Sequence, residues 1–148
     1  LPLRQVFGAV LCLYDSVNYL LKREDFISML EETASVLESG GVFIFDVCTV
    51  KNSELFFADH TMVEQYGDLR CERKCRFDRK NHIQENHFYI QSHGRLIIES
   101  HFQKIYRLEE IDAMIAVTPF VIVERFDDMS LIHGNEDSER IHYILRKK

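Results

Sequence analysis

Two short, almost wholly apolar runs, Gly8–Tyr14 (GAVLCLY) and Val42–Cys48 (VFIFDVC), flank a helical pattern and leave the chain few folds to choose from. A strand reads as unbroken apolar where both its faces are buried, as in a parallel sheet covered by helices. Between the runs, Phe26, Ile27, Leu30, Ala34 and Leu37 recur at helical spacing over 24–38. Glu24 and Asp25 sit in the first turn, where the helix dipole favours acids. Asp15 or Ser16 suits the N-cap of a short turn over 17–21. Gly40-Gly41 reads as the helix stop, because glycine accepts the left-handed conformation after a C-terminus. A connection of about twenty residues between two buried strands implies a right-handed crossover. Residues 7–48 are therefore expected to be one parallel βαβ unit of an α/β fold.

The C-terminal end supplies more of a sheet. Leu108, Ile111, Met114 and Ile115 mark a helix ended by Thr118-Pro119. Phe120–Phe126 (FVIVERF) and Arg140–Arg146 (RIHYILR) read as strands, joined by a polar loop containing Gly134, and are expected to pair antiparallel at the sheet edge. Residues 71–106 differ in texture. They alternate polar and apolar, with turn residues at Asn81-His82 and Ser92-His93-Gly94, which predicts a three-stranded antiparallel meander. The expected organisation is one domain over 1–148: the βαβ unit at 7–48, an inserted meander at 71–106, and a helix with a terminal strand pair at 107–148.

Composition excludes several classes. With 148 residues and 46% hydrophobic content, the chain can bury a core. A net charge of −6 argues against a nucleic-acid partner. No apolar run approaches the roughly 20 residues of a membrane span, and no signal peptide is visible. A cytoplasmic protein with reduced thiols is expected. Cys12 and Cys48 lie in apolar strands, while Cys71 and Cys75 share one polar segment without a second pair, too few ligands for structural zinc. His60, His82, His87, His93, His133 and His142 show no metal-ligand spacing, so no metal is expected. Nucleophile-elbow, Walker and Cys–His nucleophile signals are absent from the sequence.

The order of motifs is more telling than any one of them. GAVLCLYDSVNYL, a helix, LESGGVFIFDV, a meander ending in His101-Phe102-Gln103-Lys104-Ile105-Tyr106, then a helix and two strands, follow one another. This order resembles the portion of a class I S-adenosylmethionine (SAM)-dependent methyltransferase from its fourth strand onward, in the small-molecule branch. LESGG resembles the L-x-P-G-G step of that family, with Ser39 in place of proline. The resemblance implies a partial Rossmann-like sheet equivalent to strands 4-5-7-6, with strand 7 antiparallel. It implies SAM as cofactor and a small-molecule methyl acceptor as partner. The family's glycine-rich turn after strand 1 and the acid after strand 2 have no counterpart here, since the six glycines include no G-x-G. The chain begins with Leu, and it is expected to be the C-terminal portion of such an enzyme, inactive and doubtful in SAM binding by itself. The alternative is a non-enzymatic, methyltransferase-like interaction module.

Ligands of open α/β sheets bind at the carboxyl ends of the strands. On the resemblance, Leu13, Tyr14, Asp15 and Ser16 flank the cofactor. Asp15, Asn18, Tyr19, His101 and Tyr106 are the catalytic candidates, and Asp46 and Lys104 the substrate-binding ones. Methyl transfer from a sulfonium needs aligned reactants and, for a protonated acceptor, a base. Carboxylates, amides and phenols suit an amine or hydroxyl acceptor. The plainer alternative is that Asp15 or Ser16 only caps a turn and Tyr19 only packs. Strict alternation sets His101 on the face opposite Lys104 and Tyr106. An acid at Asp46, inside a buried strand, needs a partner; it either reaches the pocket or caps the following turn. If strand 8–14 lacks its family neighbour, it presents an open apolar edge, and self-association through residues 8–14, as a dimer, is expected.

Overall fold

The computed structural model describes residues 5–148. The first apolar run forms strand β1 (Phe7–Cys12), followed by a single 3-10 turn at Ser16–Tyr19 and helix α1 (Arg23–Ser35). The chain returns as β2 (Leu37–Cys48), which pairs parallel with β1 from Phe7↔Leu37 to Cys12↔Phe45. The βαβ unit is present as expected, but β1 is not buried on both faces: none of its residues is buried, because it has β2 on one side and no strand among the described residues on the other. Its helix ends at Ser35, earlier than the expected 38, and Val36 closes it in right-handed geometry. Gly40, at φ 77°, turns the chain inside the first part of β2, where five residues of β2 span two of β1. The glycine pair therefore shapes a strand bulge and does not stop the helix.

Helix α3 (Leu108–Ala116) and strands β7 (Phe120–Asp127) and β8 (Arg140–Lys147) complete the first sheet. Its order is β1-β2-β8-β7, with β8 antiparallel to both neighbours. Between the two halves lie a helix not foreseen, α2 (Val50–Phe56), and a second sheet. Thr49 caps α2, its hydroxyl accepting from Asn52 N–H at 3.2 Å. The second sheet has four strands where three are expected: β3 (His60–Tyr66), β4 (Leu69–Asp78), β5 (Ile83–Ser92) and β6 (Arg95–Lys104) form an antiparallel meander in chain order. All seven residues of β3 are exposed, so it lacks the buried alternate positions that mark a strand in sequence.

The core lies on one face of the first sheet. Phe26, Leu30 and Ala34 of α1 and Ile111, Met114 and Ile115 of α3 pack on Phe43, Phe45 and Val47 of β2 and Ile141, Tyr143 and Leu145 of β8. Phe45 is the hub: its ring stacks on Tyr143 at 5.0 Å and meets Phe26 edge-on at 5.9 Å. Val42, Ile44 and Asp46 of β2 alternate onto the other face, cross-strand from Arg146, Ile144 and His142, with Leu11 beside Ile44. Among the described residues no helix of the chain is long and apolar enough to cross a membrane. Gly134 lets the β7–β8 connection fold back closely, because a Cβ there would sit 3.1 Å from the Phe126 carbonyl.

Truncating Phe45 to Ala removes a fully buried ring from the hub. We expect a loss of about 3–5 kcal/mol, read from the urea midpoint at unchanged slope. A loss below about 1 kcal/mol would place the core elsewhere.

Candidate functional site

Strand β1 ends on a strained corner. Tyr14 and Asp15 are consecutive non-glycine residues with φ of 60° and 47°. Each such left-handed residue costs roughly 1–2 kcal/mol, so the surroundings must hold the corner in place. They do so through charge. Asp46, 1% exposed on β2, accepts the Asp15 backbone N–H at 2.9 Å. Arg140, opposite Cys48 at the start of β8, donates to the same Asp46 oxygen. Arg140 also reaches Asp15 Oδ1 with both Nη atoms, each at 3.2 Å. A buried carboxylate is tolerable when paired and hydrogen-bonded, and Arg140 provides that pairing. Asp46 thus reaches the corner and does not cap the next turn, a role taken by Thr49.

The second sheet docks on this corner through amides. Gln103 of β6 donates to Asp15 Oδ2 at 2.6 Å and accepts from Gln84 at 3.0 Å, and Gln84 in turn accepts from Ser53 of α2 at 2.9 Å. Asn18, 1% exposed, donates to the Lys104 carbonyl at 2.8 Å and accepts the Cys48 N–H at 3.1 Å. The Tyr106 hydroxyl donates to the Leu20 carbonyl at 2.9 Å, and burial pushes this phenol up to about 12. The polar groups of Asp15, Asn18 and Tyr106 are therefore committed to joining the two sheets. Asp15 holds the N-cap position of the 3-10 turn without capping it, and Ser16 Oγ turns back to the Leu13 carbonyl at 2.6 Å.

Tyr19 and His101 are different. They meet across the sheets, Tyr19 Oη lying 2.9 Å from His101 Nδ1, and both remain partly open to solvent. Burial, then the Asp15 charge, pushes the Tyr19 phenol upward, with Arg73 opposing. Glu99 Oε2 lies 3.4 Å from the other nitrogen, His101 Nε2. The Phe88 ring stands edge-on to the imidazole at 5.3 Å. Lys104 lies on the opposite face of β6, with no bulge in the β5–β6 register, and its Nζ donates to the Asn81 carbonyl at 2.7 Å. Tyr106 follows the strand into the core, 5.6 Å from Phe26. Of the candidate acid–base groups, Tyr19 and His101 converge, while Lys104 and Tyr106 stand apart from them.

Leu13, Tyr14, Asp46 and Arg140 line a cavity of about 350 Å³ with Asp128, Met129 and His142. It opens beside the carboxyl ends of β1 and β2. Asp46 Oδ1 and His142 Nδ1, cross-strand neighbours, are buried with no hydrogen-bond partner among the described residues. An unpaired carboxylate oxygen beside apolar walls suits a cationic or N–H donor. These residues fit SAM along one flank only, an ammonium acceptor and an apolar wall. The glycine-rich turn that holds such a cofactor has no counterpart in the sequence.

Arg140 and Gln103 escaped sequence reading. Arg140 had one usable signal: a buried acid at Asp46 demands a cation, and Arg140 opens the strand expected to join the same sheet. Gln103 had none, because a neutral amide carries no pattern until the sheets meet.

No family model matches the chain. Its sequence is 25% identical over 146 residues to a Bacillus subtilis (strain 168) protein named "Putative methyltransferase YqeM", covering 95% of this chain and 59% of that one. Its structure is similar to a SAM-dependent methyltransferase from Clostridium acetobutylicum ATCC 824, with a TM-score of 0.87 at 20% identity, covering 99% of this chain and 61% of that one. It is also similar to SAM-bound CalS10, an amino pentose methyltransferase from Micromonospora echinaspora, with a TM-score of 0.67 at 18% identity, covering 100% of this chain and 61% of that one. The chain spans about three fifths of the length of these proteins. Its fold is that of the SAM-dependent small-molecule methyltransferases, and the order β1-β2-β8-β7 corresponds to strands 4-5-7-6 of the expected sheet.

Replacing Arg140 by Met keeps the packing stem and removes the cation. Asp46 is then left buried and unpaired, and we expect a loss of about 3–5 kcal/mol in urea unfolding. The double variant Asp46→Leu with Arg140→Met should recover much of it; a double variant as unstable as the single one would contradict the pairing argument.

Proposed function

We propose that this chain is the acceptor-side part of a SAM-dependent methyltransferase acting on a small-molecule amine or hydroxyl, with His101 as the proton acceptor. The observation that carries this reading is the Tyr19–His101 pair, which bridges the two sheets and is partly open to solvent. SAM, when bound, supplies an electrophilic methyl group on a sulfonium. With its Nδ1–H donated to Tyr19 Oη, His101 presents the Nε2 lone pair to take the acceptor's proton as the acceptor–carbon bond forms and the carbon–sulfur bond breaks. Glu99, beside Nε2, stabilises the imidazolium that results. Asp15, Asn18 and Tyr106 act as positioning residues, holding β1 and β6 so that Tyr19 and His101 face one another. Leu13, Tyr14 and Ser16 flank the methionine end of the cofactor. The name of CalS10, an amino pentose methyltransferase, supports an amine as the acceptor class.

The test joins this chain to a glycine-rich SAM-binding N-terminal half and follows S-adenosylhomocysteine release over a panel of small amines and alcohols. We expect His101→Ala to lower kcat by about 10²–10⁴-fold while SAM affinity holds. Turnover unchanged in His101→Ala would remove the imidazole from the mechanism.

The edge of β1 away from β2 has no strand partner among the described residues. Leu11, 60% exposed, and Leu13, 41% exposed, make this edge and the helix-free face beside it apolar. The 148-residue chain by itself is therefore expected to self-associate through residues 8–14. Light scattering should show a dimer or larger species; a monodisperse monomer at working concentration would overturn this.

A further inference from the structure

We propose that Arg73 is an anion-binding residue of the acceptor pocket, so that the methyl acceptor carries a carboxylate or phosphate group. The inference rests on reading the Tyr19–His101 pair as the acceptor site, and it names the substrate class that site takes. Arg73 projects from β4 on the same face of the meander as His101, since Arg73 pairs with Phe88, and Asn86, two residues before Phe88, pairs with His101. Its guanidinium lies 4.9 Å from the Phe57 ring centre and 5.2 Å from that of Phe88, the ring that also touches His101. Nε and Nη2 donate to Asn86 Oδ1 at 3.1 and 2.8 Å, and the Cys75 thiol is a further neighbour.

These contacts fix the plane of the guanidinium without neutralising it. Among the described residues no carboxylate lies within ion-pair distance of Arg73. By contrast, Arg70, Arg76, Arg79, Arg125 and Arg140 each have at least one. Asn86 and the two rings are neutral, so the positive charge is held in place for something not on this chain. Two adjoining cavities, of about 260 and 110 Å³, share Met62 and Arg73 as walls. Leu55, Phe56 and Phe57 make the larger one apolar, and His60 completes it. Glu64 lines the smaller one but is solvent-exposed and out of ion-pair reach. A guanidinium held beside two aromatic rings, with donors left over, suits bidentate capture of a planar carboxylate or a phosphate. An acceptor gripped there extends along the meander, with its nucleophile toward His101. Lys104, the basic substrate-binding candidate of the sequence, faces the other side of the sheet.

The experiment is NMR titration of the 148-residue chain with phenyl phosphate, benzoate and benzyl alcohol, following the Arg73 Nε–H resonance. Both anions should shift it saturably and benzyl alcohol should not; the tighter anion identifies the group on the acceptor. Arg73→Gln and Arg73→Lys should each weaken anion binding by about tenfold or more, lysine because it lacks the fork. Arg76→Gln, on the opposite face and paired with Glu85, should leave it unchanged. Equal binding of benzyl alcohol, or anion binding that survives in a folded Arg73→Gln or Arg73→Lys protein, overturns the proposal. The titration uses neither SAM nor turnover, so anion capture without methyl transfer would count against the catalytic reading alone, and transfer without anion capture against this one alone.

Discussion

The Asp46 carboxylate is the constraint on which the rest of the site depends. It lies inside a buried strand, where an isolated charge is untenable. Arg140 answers it from the neighbouring strand, and the backbone of Asp15 answers it from the end of β1. One charge therefore draws three elements to a single point. Arg140 then extends the pairing to the Asp15 side chain, which leaves that carboxylate free to receive Gln103 from the second sheet. The left-handed corner at Tyr14 and Asp15 is the local consequence: the chain is held in a conformation it would otherwise avoid.

The meander is positioned by amides and not by a large shared core. The Ser53–Gln84–Gln103–Asp15 chain and the two bonds of Asn18 form a polar seam, beside which Cys48, Phe77 and Ile105, with Val50 and Ala58 packed on them, make a small apolar cluster. A fully satisfied polar seam specifies geometry more sharply than apolar contact does, because misplacing either sheet leaves buried amides unpaired. That precision matters at the seam's outer rim. There Tyr19 from one sheet and His101 from the other must meet within hydrogen-bond distance. Burial raises the Cys48 thiol to about 11 and the Tyr106 phenol to about 12.

Much of this architecture was legible in the residues. Unbroken apolar runs at 8–14 and 42–48 read as a parallel strand pair, although only the second is buried and the first stays open, and the spacing of Leu108, Ile111, Met114 and Ile115 requires a helix. The misses have physical causes. Strand β3 is exposed along its whole length and owes its form to pairing with β4, a signal outside its own sequence. Helix α2 spans only two turns, from Val50 to Phe56, and its start is set by one threonine hydroxyl. The glycines at 40 and 41 suit a helix stop and a strand bulge equally well, and only the register with β1 distinguishes them.

The same division runs through the site. By itself the sequence determined the βαβ unit and the later helix and strand pair, the placement of Asp15, Asn18 and Tyr19 after the first strand, and the opposite facing of His101 and Lys104. Those follow from local periodicity, which needs no partner. The tertiary structure alone decided which polar groups are consumed and which stay open. It spent Asp15, Asn18 and Tyr106 on joining the sheets, brought Tyr19 to His101 across more than eighty residues of chain, and left Arg73 charged between two aromatic rings. A hydrogen bond is a property of a pair, and pairs this distant along the chain are set by how the two sheets dock.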